Sequence, residues 1–224
     1  MKQLTFAIVV GITFVAIDVV TAVAQEAPHS WIPLSAKLTR RIWVDLPGEG
    51  TVTVGWEGIY ARDSQGRIFN RATLTHPGSP TPVRGSTDTG TIRDLPGHIL
   101  YMVNYSLRRY YKRKMDPSLD KPEPQTGDEF DKLHAGETYL GKQVISGVEC
   151  EGYQVPVPKY KKHFNETWYA PSLNFLVVRW TGYNPMKQKV ETLLQNIQAG
   201  TEPDSTLFLV PSGFQEVHQW DISF

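Results

Sequence analysis

The chain reads as a mainly β protein: a single curved antiparallel sheet of half-barrel type with one or two short helices. Three observations predict this. Apolar and polar residues alternate with a period of two along Leu34, Ala36 and Leu38 and again along Val52, Val54 and Trp56, the pattern of a strand with one wet face. Turn residues punctuate the chain at short intervals, and no amphipathic helical pattern runs beyond about ten residues. Phe175 to Val178 is apolar on both alternating faces, so it must be covered on both sides, by a second layer or by a sheet that curls over on itself.

The first strand starts at Leu34. After the turn Pro47-Gly48-Glu49-Gly50 the alternation resumes from Val52 to Trp56. Ile59 to Arg62 then leads into Asp63-Ser64-Gln65-Gly66, where Asp favours the turn start and Gly supplies the positive φ of a bulged hairpin, and Arg67 to Leu74 returns. His76 to Gly90 is rich in Pro, Gly, Ser and Thr and reads as a long surface loop, with Pro77, Pro80 and Pro82 each blocking regular pairing. Ile92 opens the next unit, in which His98 to Val103 and Tyr110 to Lys114 form strands. A second proline-bearing loop covers Asp116 to Gly127, and the acidic stretch Asp128 to Ala135 makes one or two helical turns. Strands follow at Leu140 to Ile145, Val148 to Val155, Asn165 to Tyr169, Phe175 to Trp180 and Val190 to Ile197, for about nine or ten in all. Asp204 caps the short turn Ser205 to Phe208, and Pro211 to Phe214 closes the domain.

The N-terminus carries Lys2, the apolar run Leu4 to Ile17, Asp18 and then Ala22-Val23-Ala24 before Gln25, which predicts a secretory signal peptide over 1–24 and a single β-rich domain over 25–224. The apolar run falls short of the ~20 residues of a spanning helix, so no transmembrane segment is expected after cleavage. The destination is the envelope or beyond, with the periplasm favoured over the medium. Lys+Arg and Asp+Glu both number 23, and the leader removes one of each, Lys2 and Asp18, so the mature chain stays neutral; nucleic acid is excluded as the main partner. Cys150 is the single cysteine, so no internal disulfide can form, and its neighbours Glu149 and Glu151 oppose a reactive thiolate.

A resemblance enters on particular residues. The order Pro33-Leu34-Ser35-Ala36, Arg62-Asp63-Ser64-Gln65-Gly66-Arg67, Ile92-Arg93-Asp94, Leu140-Gly141, Glu166-Thr167-Trp168-Tyr169, Pro171-Ser172-Leu173-Asn174 and Pro203-Asp204 with Leu207-Phe208 resembles a group of uncharacterised exported bacterial proteins. That group is remotely similar to the periplasmic lipoprotein carriers of the LolA and LolB type, whose antiparallel half-barrel wraps a hydrophobic cavity. The resemblance implies an envelope protein and transfers no catalytic residue. The chain departs from the group's pattern at Ile68-Phe69-Asn70-Arg71 and at Lys37, where the group commonly carries an acidic residue.

Candidate sites are few. Asp88-Thr89-Gly90 matches the short motif of aspartic proteases, but it has no second copy and follows a proline-rich loop instead of an apolar strand. The six histidines, His29, His76, His98, His134, His163 and His218, lack the close pairing of a zinc site, and no Gly-x-Ser-x-Gly elbow occurs. No catalytic residue, metal or cofactor is therefore assigned. Arg108, Arg109, Lys112, Arg113 and Lys114 interleave with Tyr110 and Tyr111, which suits either anionic headgroups or a charged hairpin edge; Lys159, Lys161 and Lys162 make a smaller cluster. Asn104-Tyr105-Ser106 and Asn165-Glu166-Thr167 are glycosylation sequons only in a host that reads them. Aromatic residues fill predicted strands, and in a half-barrel Trp56, Tyr101, Trp168 and Trp180 are the candidates to line an apolar cavity for a lipid or lipidated partner. The alternative is an adaptor module with a filled core, contacting another protein through its two proline-rich loops.

Overall fold

The computed structural model describes residues 31–46, 48, 50–76, 88–116, 124, 126–156, 164–184 and 186–222. The expected leader, His29, most of both proline-rich loops and the cluster Lys159 to His163 lie outside the described residues.

One curved, open sheet of twelve strands forms the molecule. In chain order the strands are β1 (Leu34–Leu46), β2 (Gly50–Arg62), β3 (Ile68–His76), β4 (Asp88–Asp94), β5 (Ile99–Asn104), β6 (Arg109–Lys114), β7 (Thr138–Ile145), β8 (Val148–Pro156), β9 (Phe164–Ala170), β10 (Leu176–Tyr183), β11 (Lys189–Ala199) and β12 (Gln215–Glu216). Their order across the sheet is β12-β6-β5-β4-β3-β2-β1-β11-β10-β9-β8-β7, so two antiparallel meanders meet where β1 pairs with β11. β12 alone runs parallel to its neighbour. Register shifts between Ser35 and Lys37, Gly55 and Trp56, Tyr139 and Gly141, and Val177 and Arg179 interrupt the ladders. Each such bulge bends its strand and tightens the twist, which is how a sheet this wide curves.

Two apolar clusters hold the sheet. Leu34, Leu38, Trp168, Leu176, Val178, Leu194 and Cys150 form the first, where the two meanders join. Ala61, Phe69, Ile92 and Val103 form the second, closed by Phe208 from the C-terminal turn Ser205–Phe208. Asp204 caps that turn by accepting from the Thr206 amide at 2.9 Å, as expected from sequence. The hairpin between β2 and β3 is built by Asp63, whose carboxylate accepts from the Gln65 and Arg67 amides at 3.1 and 2.8 Å and from Arg67 Nε at 2.6 Å.

Arg62, fully buried, donates through Nη2 to the Leu173 carbonyl at 2.7 Å and packs over the Trp31 ring. It thereby ties the start of the described chain to the turn before β10. The one α-helix among the described residues, α1 (Gly127–Leu133), is capped by Thr126 Oγ1, which accepts from the Glu129 amide at 3.2 Å; Asp128 and Glu129 favour its N-terminus. Its buried residue Phe130 sits among Tyr153, Tyr169 and Phe175, with ring centroids 5.3, 5.0 and 4.4 Å away.

Val52 to Trp56 and Ile59 to Arg62 belong to one thirteen-residue strand, with β1 paired along its whole length. Two expectations are corrected. The strands number twelve, not nine or ten, the short β12 being invisible as a pattern. Asp88 to Gly90, assigned to the loop, opens β4, because the ladder to β3 starts at Asp88 and Arg71 Nη2 meets Asp88 Oδ2 at 2.7 Å.

Candidate ligand-binding groove

Directly paired residues in a sheet share a face, so register assigns every strand residue to one side. A single row crosses eight strands: Tyr139, Tyr153, Thr167, Trp180, Thr192, Arg40, Trp56 and Leu74. Tyr153 in this row carries Phe130, so the row marks the helix side of the sheet. The adjacent rows on this side read Leu194, Leu38, Gly58, Ala72, Thr89 and Asn104, then Ala36, Tyr60, Asn70, Thr91, Met102 and Tyr111.

Small residues hollow the centre. Ala72 and Gly90 leave room on this side of β3 and β4. At Gly58 the neighbouring Arg71 carbonyl occupies the place of a Cβ, so the position admits only glycine. Two hollows lie on this side. One of about 440 Å³ is lined by Leu38, Arg40, Trp56, Asn70, Ala72, Thr89, Thr91 and Met102. The other, of about 180 Å³, is lined by Leu38, Arg40, Tyr60, Asn70, Val177, Thr192 and Leu194. They share Leu38, Arg40 and Asn70, so they are two lobes of one groove with Arg40 on the divide. The larger lobe alone falls within the roughly 300–1,000 Å³ of small-molecule sites.

A larger depression, about 740 Å³, lies on the other side of the sheet between β1, β2 and the segment Pro203 to Leu207. It is wide open, and its Lys37 and Glu57 already pair with each other at 2.8 Å. The smaller groove is the better site because its central charge is unspent. Arg40 has no hydrogen-bond or ion-pair partner among the described residues. Its side chain stays accessible, yet the surrounding walls strip enough water to pull the guanidinium below its ordinary value, with desolvation as the cause.

The four aromatics expected to line a cavity divide between the faces. Trp56 and Trp180 stand in the row of Arg40 on the helix side, on either side of Arg40 and Thr192. Trp168 is one residue off that row and faces the other way, its ring filling the space that Gly152 leaves empty. Tyr101 also faces away from the helix, beside Tyr110, Phe208 and Val210 in a hollow of about 300 Å³. Arg40 escaped the sequence reading, although a signal existed: it interrupts the apolar alternation Leu34, Ala36, Leu38, Ile42, Val44 at a core-facing position.

The other candidates are bound into structure. Cys150 is fully buried, and burial pushes its thiol up to about 11. His134 lies among Phe130, Tyr153 and Tyr169, with Nδ1 2.7 Å from Glu137 Oε2. Lys112 pairs with Glu216 at 2.9 Å, so the basic edge strand β6 is partly neutralised by β12. No group of three or more potential metal ligands comes together among the described residues.

An open, curved antiparallel sheet with a helix over one face defines the class. No family model matches the chain, and no curated protein matches it. Among solved structures it is similar to an uncharacterised conserved protein from Thermus thermophilus, at 10% identity over 83% of this chain and 89% of that one, with a TM-score of 0.47. It is similar to MucB in the Pseudomonas aeruginosa MucA/MucB complex, at 10% identity over 81% of this chain and 56% of that one (TM-score 0.41), so it spans little more than half of that neighbour's length. A LolA superfamily protein from Nitrosomonas europaea also matches, at 9% identity over 81% of this chain and 91% of that one (TM-score 0.30). The expected similarity to lipoprotein-carrier proteins is thus present, and it is remote.

Proposed function

We propose that this chain is a non-enzymatic exported envelope protein that holds a lipid, or the acyl chain of a lipidated partner, in the groove on the helix side of its sheet. Residues 25–224 act as one domain in this reading, after loss of 1–24, and the periplasm is the place of work. The observation that carries the reading is the two-lobed groove itself, with Leu38, Trp56, Tyr60, Met102, Val177 and Leu194 around small residues. These apolar side chains, interspersed with Asn70, Thr89, Thr91 and Thr192, suit an acyl chain, since burial of each CH₂ is worth about 0.8 kcal/mol.

Trp56 is a built-in reporter. A neutral monoacylglycerol with a brominated chain is expected to quench the tryptophan fluorescence of the mature protein, and Trp56→Phe to lose part of that quenching. Absence of quenching, together with an apo mass by native mass spectrometry after incubation with envelope lipids, would overturn the reading. That result would favour the adaptor module, for which the exposed Leu140, Val144 and Phe164 on the strands at the β7 edge offer a surface.

A further inference from the structure

Charge is sorted between the two faces of the sheet. On the helix side, the rows crossing β1 to β6, β10 and β11 carry Arg40, Arg62, Arg93, Arg109 and Arg113 and, among the described residues, no carboxylate. The opposite side holds Glu57, Asp88, Glu191 and Glu216, and with them the ion pairs Lys37–Glu57, Arg71–Asp88 and Lys112–Glu216. Over these strands the fixed charges of the helix side are thus all positive, while its carboxylates, Glu149 and Glu151 of β8 and those of α1, lie at the β7–β9 end of the sheet. Most of these arginines are committed: Arg62 to Leu173, Arg109 to the Asp221 carbonyl, Arg113 to that of Lys114, and Arg93 is also partnered. Arg40 is left, without a partner among the described residues, on the divide between the two lobes.

We infer that the groove selects a single-chain amphiphile with an anionic head, a carboxylate or phosphate, and that Arg40 is the residue that receives the head while the chain lies along the apolar lobe. This rests on the lipid-holding reading and specifies its ligand. Three reasons support it. An accessible guanidinium with no partner among the described residues, set between the two lobes, is free to take a bidentate anionic oxygen group. The surrounding acid-free rows add no repulsion to an incoming anion. The row from Trp180 to Leu74 crosses four strand spacings, about 19 Å, which suits one extended chain.

The test uses oleate, lysophosphatidic acid with the same chain, neutral monoolein and inorganic phosphate, each titrated into the mature protein and into Arg40→Gln and Arg40→Lys. Since Arg40 makes no hydrogen bond to the described residues, both variants are expected to keep the wild-type circular dichroism and melting transition. Wild type should bind both anionic amphiphiles about tenfold or more tighter than monoolein. Arg40→Gln should erase that preference by weakening both anionic amphiphiles far more than monoolein, and Arg40→Lys should restore part of it. Equal affinity for oleate and monoolein, or a preference indifferent to Arg40→Gln, overturns the inference and leaves the lipid-holding reading standing. Binding of inorganic phosphate with the same Arg40 dependence overturns it in favour of a plain anion site. No binding of any amphiphile removes the underlying reading as well.

Discussion

Arg62 and Cys150 illustrate how single residues are used here. Arg62 is a charge inside the protein, tolerable because the Ile32 and Leu173 carbonyls and the Trp31 ring receive it. Its replacement by Ala is expected to cost about 3 kcal/mol, read by urea denaturation, because charge-assisted bonds are lost and carbonyls stay unpaired. Cys150 keeps its proton in the folded chain up to about 11, against 9.0 for the ordinary thiol. The unfolded state releases that proton first, so stability is unaffected below about pH 9 and falls as pH rises from there toward 11. Wild type should therefore lose more stability over that window than Cys150→Ala. At pH 8 native Cys150 should react with iodoacetamide about 100-fold more slowly than in urea, following the thiolate fraction; comparable rates would show an open thiol.

At the scale of elements, α1 is too short to persist alone, so its stability comes from the aromatic seat of Phe130 and from the Thr126 cap. Phe130→Ala should cost about 3–5 kcal/mol and Thr126→Ala about 1 kcal/mol, with faster amide exchange over 127–133 in both. The β2–β3 contact is less forgiving. At Gly58 the neighbouring backbone occupies the space of a Cβ, so even Gly58→Ala must push the strands apart. A loss above ~3 kcal/mol, or no soluble protein, is the expected outcome. A near-neutral effect in a thermal melt would show that β2 and β3 can separate here at little cost.

The whole molecule depends on one long-range pairing. β1 meets β2 across a short turn, but it meets β11 only after about 150 residues of intervening chain, with Leu38 opposite Leu194 and Thr39 opposite Leu193. The first cluster cannot close until that pairing forms, and loop closure on this scale is slow. Refolding from urea, followed by tryptophan fluorescence, should proceed in milliseconds to seconds; a sub-millisecond main phase would contradict this account. The same pairing brings the two lobes of the groove together, since Val177, Thr192 and Leu194 come from the far end of the chain.

Much of this was legible in the residues themselves. Alternation marked most strands, Asp63 and Gly66 marked the bulged hairpin, and Asp204 marked a cap, because each is settled by bonds within a few residues. Other features were not local. Asp88 to Gly90 looked like loop and became strand because β3 offered a ladder. Trp168 and Trp180 sit in neighbouring strands yet face opposite ways, because Trp168 pairs with Arg179 and Trp180 with Thr167, and a one-residue offset reverses the side chain. Sequence by itself determined the β class, the turns and the supply of aromatics, because those follow from the chain's own periodicity. The tertiary structure alone decided which of them share a face, and that Arg40, without a partner among the described residues, stands with them, because facing is summed through every ladder and bulge from β3 to β10.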